Sequence, residues 1–86
     1  MESQTKKPRG VADDLACNLM LLASAYAQAK RLRLSMVGVH VRNDQRFFTD
    51  KVSRGAFTVA VYDATIAWFD AHWPDGAVWP KRVARH

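Results

Sequence analysis

The chain has 86 residues, 49% of them hydrophobic and 24% charged, values typical of a single folded domain. So short a chain builds a modest core, which disfavours a deep catalytic pocket, and the one cysteine, Cys17, excludes a disulfide within the chain. The sequence contains no signal peptide and no apolar run long enough for a membrane span, so we expect a cytoplasmic domain that does not contact the membrane. The formal net charge of +5 favours polyanions such as DNA as partners.

The N-terminal part of the chain predicts an arm followed by a long helix. Residues 1–10 are polar and basic, which is typical of a disordered arm. Residues 11–31 predict a helix because apolar side chains recur there at helical spacing. The residues of this apolar face are Leu15, Leu19, Leu22 and Tyr26.

Residues 32–43 admit two interpretations. Alternation of Val37, Val39 and Val41 is typical of a strand, whereas a short helix would take Ser35 as its N-cap and bury Val37 and Val41. A lone strand cannot satisfy its backbone groups, and the sequence contains no second one, so we expect the helix. A two-stranded ribbon swapped between the chains of a dimer remains the alternative.

Residues 44–55 predict a second short helix. Asp44 is its expected N-cap, and Gly55 stands where a glycine commonly ends a helix. Phe48 and Val52, four residues apart, are expected to face the core.

Residues 58–73 predict the last long helix, with Thr58 as its N-cap and Pro74 as its stop. Val78 and Trp79 are expected to fold back onto the core. The domain would then span residues 11–80, and residues 81–86 would form a frayed basic tail. The expected buried stripe of this helix is Val59, Tyr62, Ile66, Phe69 and Trp73.

Two short helices between two longer ones predict an all-α, four-helix helix-turn-helix domain. The helices of the motif would be residues 35–42 and 45–54, with the second in the DNA major groove. Polar residues on that helix would meet base edges, while flanking cations would bind phosphates. The candidate DNA-binding residues are Arg42, Gln45, Arg46, Thr49, Lys51, Ser53 and Arg54. The competing interpretation is an ordinary solvated helix face.

A set of residues between Leu34 and Pro80 carries a family resemblance. The set comprises Ser35, Asp44, Phe47, Phe48, Arg54, Gly55, Thr58, Trp68, Phe69, Trp73 and Pro74. With these residues the chain resembles small helix-turn-helix-type proteins of alphaproteobacteria and their prophages, and more distantly lambda-repressor-like domains. The resemblance implies base-facing positions at Gln45, Arg46, Thr49, Asp50 and Ser53. It also implies a small residue for close helix contact at Gly38, and Asn43 stands in the turn where a glycine is usual.

The sequence gives little support for a catalytic site or a metal-binding site. His40 and His72 lie 32 positions apart without a ligand set around them, and Cys17 has no identifiable base. Asp13 and Asp14 diverge on the helix surface, so they cannot clamp one substrate. We therefore expect no enzyme activity, no metal and no cofactor.

The sequence thus predicts a small DNA-binding transcriptional regulator that acts as a homodimer on double-stranded DNA. The alternative is a protein-interaction module, an antiactivator or an antitoxin-like partner, that keeps the fold without binding DNA. Its partner surface would be an aromatic patch of Trp68, Trp73 and Trp79, unless these side chains only fill the core.

Overall fold

The computed structural model describes residues 11–84, with side chains from residue 14 onward. This part of the chain forms α1 (Val11–Lys30), α2 (Leu34–Arg42), a π-helix (Phe47–Val52) and α3 (Val59–His72), and it contains no strand. The predicted all-α, four-helix class is therefore confirmed, and the alternative of a strand over residues 34–42 is wrong. The predicted arm, residues 1–10, and the last two residues of the predicted tail lie outside the described residues.

The first helix buries the predicted face. Leu19, Leu22 and Tyr26 are buried against the rest of the domain. The helix ends at Lys30, and the next residue, Arg31, has a φ of 58°. There the Leu32 amide donates to the Ala27 carbonyl at 2.8 Å and the Arg31 amide to the Gln28 carbonyl at 3.3 Å, the bond pair of a Schellman motif.

The N-cap of the second helix lies two residues earlier than predicted. Arg33, not Ser35, is its N-cap residue, because the Arg33 carbonyl accepts from the amides of Met36 and Val37. Ser35 therefore lies inside the first turn, and no side chain caps this helix. Val37 is buried as expected.

The third helix is a short π-helix rather than an α-helix over residues 44–55. The Lys51 amide donates to the Arg46 carbonyl, five residues back, at 3.1 Å, and Arg46 is the N-cap residue. The predicted N-cap at Asp44 is wrong, because Asp44 lies in the turn before the helix. Phe48 and Val52 are buried as predicted.

Gly55 ends this segment as predicted. Its φ is 69°, a left-handed conformation that favours glycine. The Ala56 amide donates to the Lys51 carbonyl at 2.8 Å and the Gly55 amide to the Val52 carbonyl at 2.9 Å, so the segment closes with a Schellman motif like that of α1.

The last helix keeps its predicted cap and most of its predicted face. The Thr58 hydroxyl accepts from the Val61 amide at 3.1 Å. Ile66 and Phe69 are buried in the core, where the Phe69 ring lies 5.6 Å from that of Tyr26 and 6.0 Å from that of Phe48. Val59, by contrast, is 65% exposed, so the buried stripe does not include the first residue of the helix.

The chain after α3 folds back farther than predicted. The Trp79 ring lies 4.9 Å from the Trp73 ring, so its predicted return to the core is confirmed. Val78 is 79% exposed and its predicted return is wrong, whereas Val83, assigned to a frayed tail, is buried. The packed chain thus continues at least three residues beyond the predicted boundary at residue 80.

Candidate nucleic-acid interface

Gly38 lets α2 and the turn before the π-helix lie in direct contact. A Cβ at this position would overlap the backbone carbonyl oxygen of Asp44. The Asp44 amide also donates to the Gly38 carbonyl at 3.2 Å. The small residue expected from the resemblance is therefore required by the backbone itself.

Asn43 makes the sharp turn between the two short helices. Its φ of 55° and ψ of 39° place it in the left-handed region, which asparagine tolerates better than most residues. The Asp44 carboxylate then accepts from the Arg46 amide at 3.0 Å, which fixes the entry into the π-helix. Asp44 thus orders the turn instead of capping an α-helix.

Four polar residues predicted to meet base edges lie on the surface. Gln45, Arg46, Thr49 and Ser53 are all exposed. The Ser53 hydroxyl donates to the Asp50 carbonyl at 2.8 Å, and the Thr49 hydroxyl lies 3.5 Å from the Gln45 carbonyl. Both hydroxyl oxygens keep lone pairs that can accept from base edges or water.

Two of the four predicted cations are neutralised within the domain. Lys51 forms an ion pair with Asp44 at 2.5 Å. Arg54 binds Asp50 through two bonds, from Nε at 2.9 Å and from Nη2 at 3.3 Å. The i,i+4 spacing of Asp50 and Arg54 could have revealed this pair from the sequence, whereas Asp44 and Lys51 are brought together by the turn.

The other two cations are available to an external anion. The Arg42 guanidinium lies over the Phe47 ring, 5.5 Å from its centroid. Arg46 is exposed and has no ion pair within residues 14–84. These two arginines flank the turn at Asn43 and Asp44.

The Asp44 carboxylate is stabilised in its ionised form. Its hydrogen bond with Lys51 and then its bond from the Arg46 amide hold its pKa below the ordinary value. Because the pKa is lowered on folding, this contribution to stability is present above the ordinary aspartate pKa. It is lost as the pH falls through the pKa of the folded state.

An open cleft of about 340 Å³ lies between α2, the π-helix and the start of α3. Charged side chains of both signs and apolar side chains line it together. The lining residues are Arg42, Asp44, Phe47, Lys51, Ala56, Phe57, Thr58 and Val61. The Arg42 and Lys51 side chains thus line the same cleft.

The three tryptophans assigned to a partner patch form the half-buried edge of the core. Trp68 lies edge-on to Tyr26 at 5.4 Å and stacks on His72 at 4.2 Å. Trp73 and Trp79 direct their indole N–H groups to the backbone carbonyls of Ala77 and Val83, each at 2.8 Å. Core filling, the competing interpretation, describes these contacts better than an exposed aromatic patch.

The described residues contain no group of three or more His, Cys, Asp or Glu side chains placed to hold a metal ion. None of the helices in this part of the chain has the length and apolar character needed to cross a bilayer.

Comparison of the chain with models of protein families, with curated proteins and with solved structures found no match. The resemblance described from the sequence therefore stays a prediction.

Proposed function

We propose that this domain binds duplex DNA through the surface formed by the end of α2, the turn and the π-helix. The observation that carries the proposal is the exposed Arg46, unpaired among the described residues and flanked by exposed Gln45 and Thr49. Arginine pairs bidentately with guanine in the major groove, and glutamine with adenine. The close contact at Gly38 supports a rigid platform for this surface.

The charge distribution along the chain supports the same surface. Residues 30–54 contain seven Lys and Arg and two Asp, which equals the net charge of +5 of the entire chain. Residues 55–80 contain three Asp and no Lys or Arg. An anionic duplex is therefore attracted to the half of the domain that carries the two short helices.

The π-helix, the element proposed to contact base edges, is short, and this limits the number of base pairs that one chain can recognise. The π-helix has six residues, little more than one turn. A single copy would read few base pairs, so we propose a homodimer on a two-fold site.

Arg46→Ala is the variant that tests base reading. The expected loss is about 1–3 kcal/mol on a preferred site with little loss on other sequences, because the variant removes a base contact. Site selection from a random duplex pool followed by fluorescence anisotropy gives both values. Arg42→Ala is the matched control, and it should weaken binding to every sequence and flatten the dependence on salt.

If both variants lost the same amount of affinity on all sequences, Arg46 would not be the residue that recognises bases. Failure of the wild-type chain to bind any duplex at low salt would overturn the DNA proposal. It would leave the protein-interaction module as the function to test.

A further inference from the structure

Two of the four cations assigned to the proposed DNA surface already have an ion-pair partner in the domain. Lys51 pairs with Asp44 and Arg54 with Asp50, whereas Arg42 and Arg46 have no ion pair among the described residues. Each phosphate contact adds affinity for duplex DNA by releasing counterions. If the domain binds DNA as proposed, further unpaired cations on its surface would strengthen the binding.

A second group of cations lies at the joint between α1 and α2. Lys30, Arg31 and Arg33 are all exposed, and none of them has an ion pair within residues 14–84. The sequence from residue 30 to residue 43 contains no Asp or Glu. This joint therefore concentrates positive charge, and no carboxylate among residues 14–84 pairs with it.

Arg31 holds a backbone conformation that suits glycine. It occupies the left-handed position of the Schellman motif at the end of α1, with a φ of 58°. A glycine would adopt this conformation without steric cost. Unfavourable backbone conformations in native proteins tend to occur at functional sites, so the side chain of Arg31 merits a functional explanation.

The joint is connected to the proposed surface by α2. Arg33 precedes the helix and Arg42 ends it, so the two residues are separated by about 13 Å along the axis. His40, two turns from Arg33 on the same exposed side, lies between them. Arg33 and Arg42 thus place positive charge at the two ends of α2.

We infer that Lys30, Arg31 and Arg33 form a second phosphate-binding site for the DNA backbone, at the opposite end of α2 from Arg46. This inference rests on the proposed DNA-binding function. The joint supplies sequence-independent affinity, while Arg46 and its neighbours meet the bases.

Arg31→Gly tests the inference, because it removes the charge and relaxes the backbone together. In the full chain, the expected result is a duplex affinity about eightfold lower at 0.1 M salt and a salt slope smaller by about 0.9, the effect of one phosphate contact. Thermal unfolding should show an equal or slightly higher Tm, because glycine suits the left-handed position. Fluorescence anisotropy of a labelled duplex over a salt series provides the affinities.

Lys81→Ala is the matched control, since it removes one exposed positive charge elsewhere. Its neighbour Arg82 bonds Asn18 at 2.9 Å, and Asn18 lies about 20 Å along α1 from Arg31. The control should change affinity less than twofold. A loss with Arg31→Gly no larger than the loss with Lys81→Ala would overturn the inference.

The two proposals fail in different ways. If the wild type binds, Arg42→Ala weakens binding and Arg31→Gly does not, then the second site is wrong and the proposed function stands. If the wild type does not bind the duplex at all, the proposed function itself is wrong.

Discussion

At Gly38 the backbone of α2 approaches the turn into the π-helix so closely that a side chain cannot be accommodated. A Cβ there would overlap the Asp44 carbonyl oxygen, a backbone atom that moves only if the turn moves. The dihedral angles of Gly38 are ordinary for a helix, so the requirement is for space and not for backbone freedom. Gly55 presents the opposite case, because its φ is 69° and a Cβ at this position would meet no atom within 4 Å.

Gly38→Ala should destabilise the domain by about 1–3 kcal/mol, because overpacking forces α2 and the turn apart. Chemical denaturation followed by tryptophan fluorescence measures the change. Gly55→Ala serves as the control and should cost about 1 kcal/mol from backbone strain alone. A Gly38→Ala protein as stable as the wild type would show that the turn can move away freely.

Among the elements, the π-helix contributes both to the hydrophobic core and to the proposed DNA-binding surface. Phe47, Phe48 and Val52 are buried, while the exposed side carries Arg46 and Thr49. Asp50 also forms an ion pair with Arg54 on this side, and an external anion would have to compete with Asp50 for the Arg54 guanidinium. An exposed ion pair is weak in water, so its rearrangement has a low energetic cost.

Asp50→Asn should therefore strengthen duplex binding, since it removes a repelling carboxylate and releases Arg54. One added phosphate contact would raise affinity about eightfold at 0.1 M salt and steepen the salt slope by about 0.9. Asp63→Asn makes the same change of charge on the exposed side of α3 and should alter affinity less than twofold. Equal gains from both variants would mean that only the net charge matters, and weaker binding after Asp50→Asn would contradict the role given to Arg54.

In the domain as a whole, the segment that follows α3 packs on the core and is bonded to α1. Val83 is 3% exposed, Trp79 donates to its carbonyl, and Arg82 bonds Asn18 in α1. The aromatic rings of Trp73 and Trp79 connect this segment to the end of α3. The segment beyond Pro80 is therefore part of the fold up to Val83.

Val83→Ala should lower the free energy of unfolding by roughly 2 kcal/mol, because it deletes two buried methyl groups and leaves a cavity. For a domain of this size, Tm should fall by roughly 8–16 °C. Val78→Ala is the control at an exposed valine five residues earlier, and its Tm should be unchanged. A similar Tm for both variants would mean that Val83 does not pack in solution as it does in the structure.

Features that depend on neighbours along the chain could be predicted from the amino-acid sequence. Helical spacing located α1 and α3, Thr58 began α3 and Gly55 ended the segment before it, because caps and spacing act within one or two turns. The exclusion of a lone strand was enough to predict the helix of residues 34–42. The exposure of Gln45 and Arg46 was also predicted, because polar residues of the second short helix were expected to face outward.

Features that depend on residues far apart in the chain became visible only in the folded domain. Val83 is buried in place of Val78, and its neighbour Arg82 bonds Asn18 of α1, 64 positions away along the chain. The pairing of Lys51 with Asp44 depends on a turn made possible by Gly38 and Asn43, and it determines which cations are neutralised. Such contacts have no period along the chain, so spacing could not predict which of the predicted cations remain available to DNA.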